Sequence, residues 1–261
     1  MQYKINKIII TFSISTLLLL FISCTDDAPN SEIELEKSEI IDVSYGDHAE
    51  QKYDIYLPKG RTTQATKVFI LVHGGGWVEG DKKDMKDFIP ELQQESPDYA
   101  IVTINYRLAS QGNSPFPMQI DDIKAVIAHL GMLYSYSYDT NKDVEMVCSI
   151  VGPTNFTDNA YVNPTELTYL FLALQIQAIT GVSFEQNSQF YIANSPYHVV
   201  TEDAPPTLLF YGDEDPLIPS SQGIDMHSKL DELGVTNEFT LYSGEGHGGE
   251  GANIVDTTVK L

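Results

Sequence analysis

Short β-rich runs alternate with helical patterns along most of the chain, and this order restricts the fold more than any other feature of the sequence. The predicted strands cover residues 40–45, 51–57, 68–72, 99–105, 144–151, 207–211 and 238–242. The predicted helices cover residues 85–94, 117–136, 164–179 and 220–233. Strands that alternate with helices form mostly parallel sheets with both faces covered. The sequence therefore predicts an α/β fold with a doubly wound, mostly parallel sheet.

The sharpest motif is a glycine-rich loop directly after the most apolar predicted strand. Residues 68–72 read Val-Phe-Ile-Leu-Val, and His73-Gly74-Gly75-Gly76-Trp77 follows at once. Three glycines let the backbone turn tightly and let amide N–H groups face a cleft, where they can stabilise the oxyanion of an acyl-transfer intermediate. An ordinary strand-to-loop turn is the plainer interpretation, but a turn needs neither the flanking His nor the Trp.

An acid and a histidine follow the last two predicted strands. Asp215 lies in an acidic turn after strand 207–211, and His247 lies in a glycine-rich segment after strand 238–242. An acid at the carboxyl end of a strand can orient a histidine that acts as a general base. Taken alone, the acidic segment is more simply a turn without chemistry, and we expect Asp213 to organise that turn.

The nucleophile that such a pair serves is not found in the sequence. No serine among the 261 residues has glycine both two positions before it and two positions after it. A Gly-x-Ser-x-Gly turn is what exposes the serine of these hydrolases between a strand and a helix. Ser114 and Ser183 each have only the preceding glycine, and neither follows a predicted strand.

Metal-ligand spacings are also absent from the sequence, so we expect neither a metal nor a cofactor.

Together these segments resemble the esterase/lipase branch of the α/β-hydrolases that carries a His-Gly-Gly-Gly-Trp loop, a group that includes the Bacteroidetes feruloyl-esterase-like domains. The resemblance runs from about Glu50 to Asp256. Beyond the motifs above, it covers Asn105-Tyr106-Arg107-Leu108, Phe116-Pro117, Asp122-Ile123-Lys124-Ala125 and Gly152-Pro153-Thr154-Asn155-Phe156.

The resemblance implies a role for each candidate residue. The amides of Gly75 and Gly76 would hold the oxyanion, and His73, Gly74 and Trp77 would complete the oxyanion loop. Asp215 would be the acid of a catalytic triad, and His247 would be its general base.

The resemblance also implies how the serine was lost. Residues 122–128 resemble the helix that precedes the central strand in the family, whereas Ala128-His129-Leu130 resembles the start of the helix behind the nucleophile. The two helices would be joined at about Ala128, and roughly 20 to 30 residues with the central strand and the elbow would be absent. We therefore expect one fused helix over residues 117–136, in which Ser135 cannot replace the nucleophile. Periodicity alone accepts one continuous amphipathic helix.

The expected function follows from this comparison with the family. The chain would descend from carboxylic-ester hydrolases that act on acyl or feruloyl esters of sugars or on small esters, and without the serine it would be inactive or nearly so. One alternative is a non-catalytic surface lipoprotein that binds an ester or a glycan in the cleft. Another alternative is a damaged reading of an active gene.

The amino terminus is typical of a lipoprotein export signal. Two lysines precede an apolar run over residues 8–22, and Ser23 separates this run from Cys24. The run is shorter than the roughly 20 residues of a membrane-spanning helix, so we expect cleavage. A general secretory signal cut elsewhere is the alternative. The predicted division is a signal peptide over 1–23, an acidic tether over 24–38 and a hydrolase domain over 39–261.

Charge and cysteine content restrict the partners and the location. The formal net charge of −22 disfavours binding to nucleic acid. The membrane contact that we expect is a lipid on Cys24, which would hold the exported protein at the cell envelope, on the outer membrane or the cell surface. With Cys24 lipidated, Cys148 is the other cysteine, so we expect no intrachain disulfide.

Replacing the lipidation residue should release the protein from the membrane. We expect Cys24→Ala to move the protein from the membrane fraction to the soluble fraction, because the acyl chains on Cys24 would be its anchor. Fractionation with mass spectrometry of the wild-type amino terminus measures this. A Cys24→Ala protein that stays in the membrane fraction, or a wild-type protein without lipid, would contradict the prediction.

Overall fold

The computed structural model describes residues 35–63, 65–110, 116–134 and 144–248. The predicted signal peptide, Cys24, Ser114 and Ser135 lie outside these ranges. The tether prediction falls partly inside them. There the backbone carbonyls of Leu35 and Glu36 accept hydrogen bonds from Gly60 and Arg61, so contacts with the domain begin before the predicted boundary at residue 39.

The strands agree closely with the predicted ones. They are β1 (Ser38–Ser44), β2 (Lys52–Leu57), β3 (Val68–Val72), β4 (Ala100–Ile104), β5 (Val147–Ile150), β6 (Thr207–Gly212) and β7 (Asn237–Tyr242). β5 is shorter than the predicted strand over residues 144–151.

The helices include the four predicted ones and three short ones that the sequence did not indicate. They are α1 (Phe88–Glu95), α2 (Met118–Tyr134), α3 (Asn159–Val162), α4 (Leu167–Thr180), α5 (Ser188–Asn194), α6 (Pro196–Val199) and α7 (Ser221–Leu233). A 3-10 turn, Lys82–Met85, precedes α1. None of the helices in the described ranges is both long enough and apolar enough to cross a membrane.

The strands form two sheets instead of the single sheet that was predicted. The first sheet has the order β1-β2-β4-β3, in which only β3 and β4 are parallel. The second sheet has the order β5-β6-β7 and is parallel throughout. Among the described residues, β3 and β5 are therefore each the last strand of their sheet.

β3 and β5 combine the composition of interior strands with the exposure of edge strands. Every residue of β4 and β6 is buried. By contrast, Val72 of β3 is 39% exposed and Val147 of β5 is 40% exposed. Apolar runs such as Val68–Val72 are typical of parallel strands that have a neighbour on each side. Their exposure is that of the last strands of a sheet, which they are among the described residues.

Contacts at both ends hold the two sheets side by side. Lys67, just before β3, forms a 2.7 Å ion pair with Glu145, just before β5. Trp77, after β3, packs edge-to-face on Phe156, after β5, with ring centroids 5.7 Å apart. Amino end meets amino end and carboxyl end meets carboxyl end, so β3 and β5 run in the same direction. We call the region between these two strands the strand slot.

α2 runs without a break across the expected junction at Ala128. Its residues Val126 and Leu130 are buried in one core cluster with Ile55 of β2 and Val102 of β4. The prediction of one continuous helix is confirmed from Met118 to Tyr134. The last predicted residues, 135 and 136, lie outside the described ranges.

A buried ion network fixes the segment that follows the glycine-rich loop. Lys82 and Asp54 are each 2% exposed, and the Nζ atom of Lys82 donates to the Oδ1 atom of Asp54 at 2.6 Å. The same Nζ atom lies 3.0 Å from the Oδ1 atom of Asp42. Asn105, which follows β4, accepts the backbone N–H of Lys82 and donates to Asp81. The network thus ties this segment to β2 and to the end of β4.

Removing the buried lysine should destabilise the domain strongly. Lys82→Ala leaves the carboxylate of Asp54 buried without its cation, and we expect the free energy of unfolding to fall by about 3–5 kcal/mol. Urea unfolding followed by circular dichroism measures the change. Lys83→Ala is the matched control, because Lys83 is exposed and its loss should change stability by no more than about 0.5 kcal/mol. Equal effects of the two substitutions would contradict the prediction.

Candidate active site

The glycine-rich loop adopts a backbone that requires glycine at two positions. Gly75 has φ +105° and Gly76 has φ +55°, both in the left-handed region. A Cβ atom on Gly75 would lie 2.1 Å from the carbonyl oxygen of Glu79. Neither amide N–H donates to any atom of the described residues. Gly75 is exposed and Gly76 is partly exposed.

The side chain of His73 contacts the backbone of the glycine-rich loop. The side chain is buried, its Nδ1 atom lies 2.7 Å from the carbonyl oxygen of Gly74, and its ring stacks on Tyr106 at 4.3 Å between centroids. The Tyr106 hydroxyl donates to the carbonyl oxygens of His73 and Gly74 at 3.1 and 3.2 Å. These contacts hold the loop backbone in place, so His73 is a positioning residue.

Aromatic side chains form a wall next to the loop. Trp77 contacts Phe116 and Phe156 edge-to-face, and Phe116 also contacts Phe190. Phe156 is buried, whereas Trp77, Phe116 and Phe190 are partly exposed. From α4, the side-chain amide of Gln175 reaches the carbonyl oxygen of Gly76 at 3.5 Å. The loop is therefore bordered by apolar rings.

Arg107 and Asp122 join two segments that the sequence already singled out. The guanidinium of Arg107 donates to both carboxylate oxygens of Asp122 at 2.6–3.0 Å, and the backbone N–H of Arg107 donates as well. Burial alone would raise the pKa of Asp122, but the hydrogen bonds from Arg107 outweigh it and the pKa is lowered. This pair anchors α2 to the segment after β4.

The acid and the histidine are in contact, as predicted. The Nδ1 atom of His247 lies 2.8 Å from the Oδ2 atom of Asp215. The other carboxylate oxygen of Asp215 accepts the backbone N–H groups of Leu217 and Ile218 at 2.7 and 2.9 Å. The carboxylate is fully buried, whereas the side chain of His247 is 41% exposed. Nδ1–H donates to the acid in this arrangement, so Nε2 is available to accept a proton.

The charge of Asp215 is stabilised by its surroundings. Burial alone would raise the pKa of the carboxyl group, but hydrogen bonds from His247 and from the backbone of Ile218 and Leu217 outweigh it and lower the pKa below its usual value. The acid is therefore ionised near neutral pH, the state that orients a histidine and stabilises an imidazolium.

Two interlocked turns hold the acid and the histidine together. Asp213 accepts the backbone N–H of Gly244 at 2.6 Å and the hydroxyl of Ser243 at 3.0 Å. A Cβ atom on Gly212 would lie 2.1 Å from the carbonyl oxygen of Glu245, so only glycine allows the two backbones to approach this closely. The prediction that Asp213 organises its turn is confirmed.

One positioning residue has little sequence signal. Gln222 of α7 is fully buried, and its side-chain oxygen accepts the backbone N–H groups of Thr154 and Asn155 at 2.8 and 2.7 Å. It holds the segment that carries Phe156. The available signal is a polar residue in the buried stripe of α7, four residues before Met226.

Among the described residues, no serine or cysteine hydrogen-bonds to His247. Its Nε2 atom has no partner there, and Asp215 is its side-chain contact. Ser183 lies in a loop before α5, where its hydroxyl contacts the backbone of Gln186 at 3.3 Å. The structure thus brings together the acid and the histidine and leaves Ser183 in a separate local turn.

The sequence model of one protein family matches most of the domain. The BD-FAE family matches residues 53–142 and residues 129–230. The chain belongs to the BD-FAE family. The two matched segments share residues 129–142, so this chain does not follow the family sequence as one uninterrupted alignment.

Curated relatives of the BD-FAE chain are esterases. The chain is 23% identical over 243 residues to "Esterase LipC" of Mycobacterium tuberculosis, which covers 79% of this chain and 59% of that protein. It is 24% identical over 242 residues to "Probable isoprenylcysteine alpha-carbonyl methylesterase ICMEL1" of Arabidopsis thaliana, which covers 78% of this chain and 50% of that protein. The chain therefore spans about half to three fifths of the length of these relatives.

Solved structures support the fold. A truncated form of a carbohydrate esterase from gut microbiota has a TM-score of 0.69 and 20% identity, covering 85% of this chain and 94% of that one. Esterase B from Lactobacillus Rhamnosis (HN001) has a TM-score of 0.61 and 17% identity, covering 85% and 82%. These structures are similar to the BD-FAE chain in fold, and the predicted α/β-hydrolase class is confirmed.

Neutralising the buried acid should lower stability in a pH-dependent way. The pKa of Asp215 is depressed in the folded state, so its stabilisation is present above the unfolded pKa of about 3.9 and is lost as pH falls through the lower folded value. We expect Asp215→Asn to cost about 1–3 kcal/mol at pH 7, and this cost should shrink in acid.

Urea unfolding at pH 7 and near pH 3 measures the difference. Glu214→Gln is the control, because it neutralises an adjacent exposed carboxylate and should change stability by less than about 0.5 kcal/mol. A cost of Asp215→Asn that is the same at both pH values would contradict the assignment.

Proposed function

We propose that this BD-FAE chain has the architecture of a carboxylic-ester hydrolase but lacks the central strand and the serine elbow, so that it does not turn over esters. The strand slot carries this proposal. Among the described residues, β3 and β5 are each the last strand of their sheet and do not pair with each other, although the Asp215–His247 pair is formed and the glycine loop is present. A strand between β3 and β5 would place a nucleophile at the carboxyl end of the sheet, where the loops after β3, β6 and β7 begin.

Two independent observations support the loss of this strand. α2 passes through Ala128 without interruption, where the resemblance to the family requires two separate helices. The family match is also divided into two segments that overlap at residues 129–142. Both breaks fall in the stretch between β4 and β5.

The geometry defines what each residue would do if a serine were supplied. The serine hydroxyl would attack the ester carbonyl, and Nε2 of His247 would take its proton. Asp215 would hold Nδ1–H and stabilise the imidazolium, while the amides of Gly75 and Gly76 would donate to the oxyanion. Without a nucleophile, the oxyanion loop supports only weak catalysis by water.

The substrate class we propose is an acyl or feruloyl ester of a sugar, or a small ester. The names of similar proteins support this choice, since they include an esterase, a probable isoprenylcysteine alpha-carbonyl methylesterase and a carbohydrate esterase. The partly exposed rings of Trp77, Phe116 and Phe190 suit the apolar part of such a ligand.

The same wall favours the second candidate function, in which the chain binds an ester or glycan without hydrolysing it. A lipid on Cys24 would keep either activity at the cell envelope.

Restoring the central strand should restore activity. We expect the natural chain to hydrolyse a short-chain aryl ester no faster than the background rate, and a repaired chain with a family-like strand and Gly-x-Ser-x-Gly elbow inserted after Ala128 to be active. In the repaired chain, His247→Ala should reduce kcat by at least about 10³-fold, because the serine loses its base. Ester hydrolysis followed by absorbance measures both effects.

Two outcomes would contradict the proposal. The first is strong turnover by the natural chain that a serine-directed phosphonate abolishes. The second is a repaired chain that folds and remains inert. Sequencing of the locus around the codon for Ala128 separates a real deletion from a damaged gene reading, since recovery of an elbow there would indicate the latter.

A further inference from the structure

We propose that the outward face of α4 binds the surface of a neutral phospholipid bilayer and holds the candidate site beside the membrane. We call this face the α4 stripe, which consists of Leu167, Leu170, Phe171 and Leu174. The inference goes beyond the proposed function, because it concerns where the domain binds and not whether it hydrolyses an ester. It draws on the proposed lipid anchor only for the distance between the domain and the membrane.

The α4 stripe is an exposed apolar surface on a regular helix. Its four side chains are between 38% and 67% exposed. They recur at steps of three and four residues, so they lie on one side of α4. Large apolar side chains that are exposed together, and not singly, mark an interaction surface. The stripe therefore needs a partner that accepts apolar side chains.

The opposite face of α4 is buried, so the stripe is directed outward. Ile176 is buried in one core cluster with Phe156. Leu172 packs against that cluster and against a second cluster around Leu209 and Leu230. A surface helix usually has one apolar face towards the core and one polar face towards water. Because α4 is apolar on both sides, packing within the domain explains only its inner face.

The charge of α4 selects a neutral partner. The helix from Leu167 to Thr180 contains no Asp, Glu, Lys or Arg, although the whole chain has a formal net charge of −22. An uncharged helix is not repelled by a neutral bilayer, whereas an anionic lipid surface repels an acidic protein. A bilayer of zwitterionic phospholipid therefore fits the α4 stripe better than an anionic one.

A second copy of the chain fits the α4 stripe less well. A stable dimer buries about 800 Å² on each partner. The exposed parts of four large side chains supply roughly 400 Å², and two chains of charge −22 repel each other. A bilayer does not require such an area or a complementary shape, since an interfacial helix binds by placing its apolar side about 5–10 Å into the lipid.

The α4 stripe lies on the helix that borders the candidate site. The side-chain amide of Gln175, next to Leu174, contacts the carbonyl oxygen of Gly76 at 3.5 Å. Binding through the stripe would therefore bring the glycine-rich loop close to the lipid. Leu35, at the start of the described residues, follows the proposed lipid residue Cys24 by eleven residues, which span at most about 40 Å. A domain held within that distance can turn α4 towards the bilayer.

The test uses the predicted mature chain, which begins at residue 24, with Cys24→Ala to remove the lipid anchor. Flotation with phosphatidylcholine vesicles measures binding at about 1 mM lipid, where an association constant of about 10⁴ M⁻¹, similar to that of one acyl chain, keeps most of the protein bound. Binding this weak reverses on dilution, so it agrees with release of the Cys24→Ala protein during cell fractionation.

Substitutions in the α4 stripe should weaken this binding. We expect Phe171→Ser combined with Leu174→Ser to lower the association constant by at least about 10-fold, because two apolar side chains no longer enter the lipid. The matched control is Ile40→Ser combined with Ile41→Ser, which removes two exposed apolar side chains of β1 and should leave binding unchanged. Circular dichroism checks that each variant is folded. Leu167→Ser, at the most exposed residue of the stripe, gives a second test in the same direction.

Four outcomes would overturn the inference. They are no binding to phosphatidylcholine vesicles, binding that the stripe substitutions leave unchanged, tighter binding to vesicles that contain phosphatidylglycerol, and a dimer in analytical ultracentrifugation that the stripe substitutions convert to monomer. The last outcome would assign the stripe to a second copy of the chain.

This readout requires neither ester hydrolysis nor a lipid on Cys24. An active repaired chain together with a mature chain that does not bind vesicles would remove the inference and leave the proposed function standing. Vesicle binding through the α4 stripe together with an inert repaired chain would do the reverse.

Discussion

A strand inside a parallel sheet needs hydrogen-bond partners on two sides. The division of this domain into two sheets depends on which strands have both partners. β4 and β6 have both and are completely buried. Among the described residues, β3 and β5 each pair with a strand on one side, and their side chains are partly or fully exposed. A buried backbone group without a partner costs about 1–3 kcal/mol. Among the described residues the two strands do not pair with each other, and the domain has two sheets.

The parts of the candidate site are held by contacts that do not involve the region between β3 and β5. Asp215 and His247 lie on turns after β6 and β7, and those turns bind each other through Asp213. The glycine loop follows β3 of the first sheet, where Tyr106 and the network around Lys82 hold it in place. The local geometry of these groups therefore does not depend on a strand between β3 and β5.

Much of this arrangement is predictable from the sequence, because it depends on local patterns. The run Val68–Val72 gives β3 with its observed bounds, and the order of motifs brings Asp215 to His247. The division into two sheets is not predictable in the same way, since each strand keeps its apolar pattern whether or not its neighbour exists. Buried polar groups such as Lys82 and Gln222 also escape pattern analysis, because their burial depends on partners distant in sequence.

The two contacts that join the sheets differ in physical character. The side chains of Lys67 and Glu145 are 50% and 68% exposed, so dissolved ions screen their attraction. The contact between Trp77 and Phe156 is apolar and responds little to ionic strength. The contact between the amino ends of β3 and β5 is thus sensitive to salt, and the contact beyond their carboxyl ends is not. High salt should therefore loosen the contact at the amino ends of β3 and β5 and leave the Trp77–Phe156 contact in place.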